Sequence, residues 1–111
     1  MKSTSILTAF FLVAIAAGTA SAQDKALVAQ GEKVYNDQKC FNCHAVKGEG
    51  NKKGPLDKIA TKLKPAEMKD WLVNAPEMAA KAKADRKPPM KSVTLTDSEM
   101  NALLAYLQTL K

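Results

Sequence analysis

The stretch that decides the fold is Cys40-Phe41-Asn42-Cys43-His44, which lies between a predicted amphipathic helix and a glycine-rich loop. Two cysteines three positions apart can each form a thioether to one of the two vinyl groups of a haem. A histidine directly after them can supply an axial nitrogen to the haem iron. The motif therefore predicts one covalent haem c, attached through Cys40 and Cys43, with His44 as an iron ligand.

Three other uses of this cysteine pair fit the surrounding sequence less well. A thioredoxin-like redox pair belongs to a strand–helix unit, whereas this pair follows an amphipathic helix. A zinc site needs a fourth ligand, and the chain contains no other cysteine or histidine. A structural disulfide is possible, but it does not explain why a histidine, His44, directly follows the second cysteine.

The first 22 residues have the pattern of an export signal. Met1 and Lys2 give a positive start, residues 6–17 are apolar and uncharged, and small residues precede a cleavage site after Ala22. The apolar run is shorter than the roughly 20 residues of a membrane-spanning helix. We therefore expect residues 1–22 to be a cleaved signal peptide, residues 23–111 to be the functional domain, and no stable membrane insertion after cleavage.

Residues 23–111 form one small, basic domain that is poor in aromatic side chains. Without Lys2, the 17 Lys and Arg residues become 16, against 11 acidic residues, a net charge of +5. So small a core usually needs a cofactor, a metal or disulfides, and a haem would supply the missing apolar volume. The charge favours an acidic protein partner. Nucleic acid is not expected, because no basic run is interleaved with aromatics.

Apolar spacing and helix-start signals predict an all-α domain. A first helix is expected from a cap at Asp24 to about Asn36. Residues 56–63 suggest one or two helical turns, and Pro65 suits the first position of the next helix. Pro76 either ends that helix or begins a short one.

The last predicted helix has the clearest start. Thr96 and Glu99 form a capping box, in which each side chain bonds the other's backbone N–H. No segment shows the two-residue alternation of a half-buried strand. One apolar stripe follows the cap, formed by Met100, Leu103, Leu104, Leu107 and Leu110.

These features together resemble the small class I c-type cytochromes of bacteria along nearly all of residues 23–111. In that family the N- and C-terminal helices cross at a glycine that packs against an aromatic side chain. Gly31 and Tyr35 match the N-terminal side, and Leu103 and Tyr106 match the C-terminal side. The resemblance implies crossing terminal helices, with short helices and loops wrapping one haem. The export signal of residues 1–22 predicts a periplasmic location.

The resemblance also implies further haem-binding residues. Gly54-Pro55-Leu56 is similar to the family's loop in which a proline carbonyl accepts the N–H of the axial histidine. Pro55 is therefore the expected acceptor. Leu56 is an expected haem contact and Trp71 an expected donor to a haem carboxylate, although an ordinary core position explains either residue equally well.

The sixth iron ligand is expected to be Met90. His44 is the only histidine, so a second histidine ligand is excluded within one chain, and methionine, lysine, water or no ligand remain. Met68 and Met100 lie on apolar helix stripes, and Met78 falls in an alanine-rich stretch. Met90 follows Pro88-Pro89 in an expected loop, and the family resemblance implies the same residue, although the family more often has its methionine before a proline pair.

The function that follows is a soluble periplasmic one-electron carrier that uses His/Met-ligated haem c and is not an enzyme. Its partners would be redox proteins with an acidic docking surface. Two alternatives remain open. One is an electron-accepting subunit of a periplasmic oxidoreductase complex, and the other is an open-site haem enzyme or gas-binding cytochrome.

Overall fold

The described part of the chain begins with a long helix, α1, over Thr19–Asp37. The computed structural model describes the backbone of residues 19–111 and the side chains of residues 24–111. Residues 1–18 of the predicted signal peptide lie outside the described residues, and only the backbone of residues 19–22 is described. The signal peptide therefore stays a prediction. Asp24 lies inside α1 and does not cap it, because residues 19–30 contain no glycine or proline to interrupt the helix.

The cysteine motif forms a tight turn directly after α1. Lys39 adopts a left-handed backbone conformation with φ of 56° and ends the helical path. A 3₁₀ turn over Cys40–Asn42 follows, and the N–H of His44 bonds the Cys40 carbonyl at 2.9 Å. The motif residues therefore occupy one compact turn.

A short hairpin, absent from the sequence prediction, comes next. Strand β1 over Ala45–Val46 pairs antiparallel with β2 over Glu49–Gly50. Lys47 and Gly48 make the reversal with positive φ angles of 52° and 80°. Strands of two residues are too short to show a period-two pattern, so hydrophobic spacing cannot reveal them.

Three short helices then carry the chain around the domain. They are α2 over Ile59–Lys62, α3 over Pro65–Val73 and α4 over Ala75–Lys81. Pro65 opens α3, as predicted. Pro76 lies in the first turn of α4, which resolves the choice that the sequence left open. Residues 83–96 then run without regular secondary structure to the last helix.

The last helix, α5, spans Asp97–Gln108 and confirms the predicted capping box. The N–H of Glu99 donates to Thr96 Oγ1 at 3.2 Å, and the N–H of Thr96 donates to Glu99 Oε2 at 2.9 Å. Both bonds satisfy N–H groups that have no partner within the helix. The start of α5, and so the end of the preceding loop, is firmly set.

Helices α1 and α5 cross and make the most extensive contact in the fold. Gly31 is buried at the crossing, where an added Cβ would lie 2.6 Å from the carbonyl carbon of Ala102 and 2.7 Å from the Cβ of Tyr106. The Tyr35 and Tyr106 rings pack with centroids 5.7 Å apart. The predicted crossing of the terminal helices is confirmed.

The core lies between this crossing and α3. Leu103 of α5 is 1% exposed, and Met68 and Leu72 of α3 pack against the same cluster. Within residues 19–111, the structure contains no helix that is both long and apolar enough to cross a membrane.

Candidate haem site

A cavity of about 400 Å³ opens beside the core, and side chains from α1 to α5 line it. This volume lies in the range of protein sites that enclose small organic ligands. Its lining is mostly aliphatic, and residues far apart in the sequence contribute to it. The aliphatic side chains include Leu56, Ile59, Leu63, Leu72, Leu103 and Leu107.

All three chemically distinctive residues of the cysteine motif line this cavity. Cys40 is half-buried, Cys43 is exposed, and both are free thiols. Burial raises the pKa of the Cys40 thiol. His44 is half-buried between the motif turn and β1. The 3₁₀ turn thus presents two thiols and one imidazole to the same apolar space.

The carbonyl of Gly54 orients the His44 ring. His44 Nδ1 lies 3.0 Å from the Gly54 oxygen, and because a carbonyl only accepts, Nδ1 carries the proton and donates. The lone pair is then on Nε2, which is free to bind a metal. Burial lowers the pKa of His44. The hydrogen bond to Gly54 raises this pKa and the charge of Arg86 lowers it, and the net shift is downward. A lowered pKa favours the neutral imidazole, which is the form that binds a metal.

The prediction that the Pro55 carbonyl accepts this bond is wrong by one residue. Gly54 O also accepts the N–H of Ala45 at 3.0 Å, while Ala45 O accepts the N–H of Leu56 at 2.8 Å. These two bonds hold Pro55 alongside Ala45 in a parallel bridge. Pro55 is exposed and does not line the cavity.

Gly54 is confined by its neighbours as well as by its hydrogen bonds. A Cβ at this position would lie 3.0 Å from the guanidinium carbon of Arg86, and it would also collide with the Cys43 carbonyl. A side chain here would therefore press on the backbone of the motif turn and displace the Arg86 guanidinium. Glycine leaves room at this position for the Cys43 carbonyl and the Arg86 guanidinium.

The other predicted contact residues line the cavity. Leu56 and Trp71 are half-buried there. Met90 also lines it, half-buried in the loop after Pro88 and Pro89, and the Lys87–Pro88 peptide bond is cis. The structure thus brings these three side chains to the cavity that the cysteine motif lines, while their roles toward a haem stay predictions.

The four candidate methionines divide by position. Met90 and Met68 line the cavity, whereas Met78 and Met100 do not. Met68 is 3% exposed and belongs to the packed core beneath α3. Met90 is therefore the cavity-lining methionine that lies on a loop.

Two cations in the cavity lining were not predicted. Lys62 and Arg86 line it, and none of the acidic residues in the described part of the chain does. Arg86 forms no ion pair with any of residues 24–111, yet it is half-buried. One sequence signal points to it, since Arg86 is the only arginine beside 16 lysines. Arginine suits partly buried carboxylate recognition better than lysine does.

The lining fits a haem. A haem has a large apolar ring with two carboxylates, and this cavity combines aliphatic surface with two cations, two thiols and an imidazole with a free Nε2. Thiols attach the vinyl groups, the imidazole binds iron, and cations match carboxylates. Each chemical part of the group has a matching protein group.

The family comparison agrees with this chemistry. The model of the Cytochrome c family matches residues 28–111. The chain belongs to the cytochrome c family. It is a small class I single-haem cytochrome c that binds haem c covalently, carries electrons and has redox partners. No curated protein and no solved structure matches the chain.

Proposed function

We propose that this cytochrome c is an exported, periplasmic one-electron carrier whose haem iron is ligated by His44 and Met90. The single observation that carries the proposal is that both side chains line the same apolar cavity, with His44 Nε2 left free by the Gly54 bond. The export signal of residues 1–22 supports the location.

The two proposed ligands suit electron transfer better than catalysis. An imidazole from His44 and a thioether from Met90 would complete six-fold ligation of the iron in both oxidation states. Little would then rearrange when an electron moves, and no coordination position would be open to a substrate. The soft thioether favours ferrous iron and so raises the reduction potential. Neither residue needs to exchange a proton during the reaction.

The remaining residues hold and orient the cofactor. Cys40 and Cys43 are the attachment points, and Gly54 fixes the His44 ring through its carbonyl. Leu56 and the aliphatic side chains around it exclude water from the iron. Trp71 and Arg86 line the same cavity and offer N–H donors for the haem carboxylates.

A basic surface supports an acidic redox partner. Residues 24–111 carry 16 cations and 11 acidic groups, and the cations are almost entirely lysines at exposed positions. Such a field accelerates encounter with a negatively charged protein surface and orients it. Six exposed lysines flank the motif or the Met90 loop in sequence, and these are Lys39, Lys47, Lys52, Lys53, Lys87 and Lys91.

Methionine variants of the holoprotein test the ligation. Met90→Ala should abolish the far-red sulfur-to-iron absorption band, lower the reduction potential and let cyanide bind ferric iron rapidly. Met78→Ala is the matched control, because Met78 does not line the cavity, and it should leave all three properties near those of the parent. Met68→Leu keeps the volume of the core and should also retain the band. A Met90→Ala protein that keeps the band, or loss of the band in either control, overturns the assignment.

A further inference from the structure

The loop that carries Met90 is tied to the junction of α3 and α4 by two hydrogen bonds. The N–H of Ala75 donates to Ser92 Oγ at 3.0 Å, and the N–H of Val93 donates to the Leu72 carbonyl at 2.8 Å. We call these two bonds the loop tether. They begin two residues after Met90, so the tether holds the loop directly beside the proposed ligand.

The tether supplies hydrogen-bond partners to backbone groups at the end of α3 and the start of α4. Ala75 is the first residue of α4 and 0% exposed, and the preceding Asn74 makes no capping bond with its side chain. Ser92, which lies 17 residues further along the chain, supplies the missing acceptor. Leu72 O is one of the last carbonyls of α3, which have no partner within their own helix. The loop thus satisfies one donor and one acceptor that α3 and α4 leave unpaired.

Packing extends the same attachment into the core. Val93 and Leu95 are partly buried against the core cluster, and Leu72, which accepts one tether bond, belongs to that cluster and lines the cavity. Met90 also packs against the cluster. The residues between Met90 and α5 therefore hold Met90 in place, because they are packed against the core and bonded to α3.

We infer that Ser92 is a positioning residue for iron ligation, whose hydroxyl holds the Met90 loop closed over the cavity. This inference rests on the proposed ligation by Met90. The Ser92 hydroxyl accepts a bond from the Ala75 backbone, so it acts on Met90 through the backbone of the loop. Withdrawing Met90 from the iron requires the loop to leave the α3–α4 junction, and that movement breaks the bond between Ala75 and Ser92.

The expected effect follows from the loss of one hydrogen bond. Ser92→Ala removes the acceptor and leaves the buried Ala75 N–H without a partner in the closed state. The loop-open population should then rise about fivefold, the usual effect of a single hydrogen bond on an equilibrium. Ser92→Thr keeps the hydroxyl at an exposed position and should behave like the parent.

The test uses ferric and ferrous holoprotein of the parent, Ser92→Ala, Ser92→Thr and Ser98→Ala. Ser98 is the matched control, because it is an exposed serine in the first turn of α5. Three properties are measured: the rate of cyanide binding to ferric protein, the temperature at which the sulfur-to-iron band is lost, and the hydrogen exchange of the Ala75 amide. Only Ser92→Ala should show faster cyanide binding, by about fivefold, an earlier loss of the band, and faster exchange at Ala75.

The outcomes separate this inference from the proposed ligation. If Met90→Ala loses the band and Ser92→Ala binds cyanide at the parental rate, Met90 opens by side-chain rotation alone and the inference about Ser92 is overturned. The inference is also overturned if Ser92→Ala lowers only the global melting temperature. If Met90→Ala keeps the band, the ligation itself fails, whatever Ser92→Ala does.

Discussion

Replacing Gly31 with alanine has two opposite effects on the free energy of unfolding: higher helix propensity raises it, and a clash between helices lowers it. The structure shows which effect is larger. Alanine at an exposed position in a helix would stabilise the protein by about 1 kcal/mol relative to glycine. Here its Cβ would lie 2.6 Å from the Ala102 carbonyl carbon and 2.7 Å from the Tyr106 Cβ, and closer still to the Ala102 oxygen. Distances under 3.0 Å essentially never occur for real Cβ atoms.

The clash at Gly31 cannot be relieved by a rotamer change, because the atoms of Ala102 belong to the α5 backbone. The two helices must move apart, which loosens the tilted contact between the Tyr35 and Tyr106 rings and the packing around Leu103. Overpacking of this kind costs about 3 kcal/mol, at the upper end of its usual range. After the gain in propensity, we expect a net loss of about 2 kcal/mol and a fall in melting temperature on the order of 10 °C.

Guanidinium titration of the ferric holoprotein, followed by far-ultraviolet circular dichroism, measures this change. Ala29→Gly is the control, since Ala29 is exposed in the same helix and should lose about 1 kcal/mol by propensity alone. The reasoning about the crossing is refuted if Gly31→Ala raises the free energy of unfolding by the amount that Ala29→Gly lowers it. That result would mean that Gly31 behaves as an ordinary exposed helix residue.

Two further predictions concern charge. Arg86→Gln should lower the reduction potential by on the order of 40 mV, because a cation that lines the cavity disfavours ferric iron. The control is Lys87→Gln, because Lys87 is exposed and does not line the cavity, and it should leave the potential nearly unchanged in the same voltammetry. Equal shifts in both variants would contradict the placement of Arg86 beside the haem. Electron transfer to an acidic redox protein should slow steeply as ionic strength rises in stopped-flow measurements, because the protein surface is basic. Rates that do not depend on salt would show that the lysines do not direct docking.

Local chemistry explains why much of the fold and site could be read from the sequence. Cys40, Cys43 and His44 lie within one turn, so their spacing alone puts two thiols and an imidazole at the same cavity. The capping box at Thr96 is equally local, because both of its bonds join residues three apart. The resemblance to class I cytochromes placed the helix crossing at Gly31, and glycine suits this position because it has no side chain to hold the second helix away.

The prediction for Pro55 was wrong because the sequence does not identify which carbonyl of the loop accepts the His44 bond. A motif identifies a loop but does not say which carbonyl of that loop faces the histidine, because successive carbonyls of an extended chain point in different directions. Here pairing with Ala45 turns the Gly54 oxygen toward His44. The identity of the acceptor depends on a contact between separate segments, and no residue pattern carries that information.

The sequence by itself determined the cofactor, its covalent attachment and the start of α5, because these depend on covalent chemistry and on hydrogen bonds between near neighbours. The tertiary structure alone decided that Arg86 lies beside Gly54 and that Ser92 caps α4. The sequence favoured Met90 over Met78, but only the tertiary structure shows that Met90 lines the cavity and Met78 does not. Each of these depends on how segments far apart in the chain pack around one apolar space. That packing minimises exposed apolar surface over the whole domain, so it cannot be computed one segment at a time.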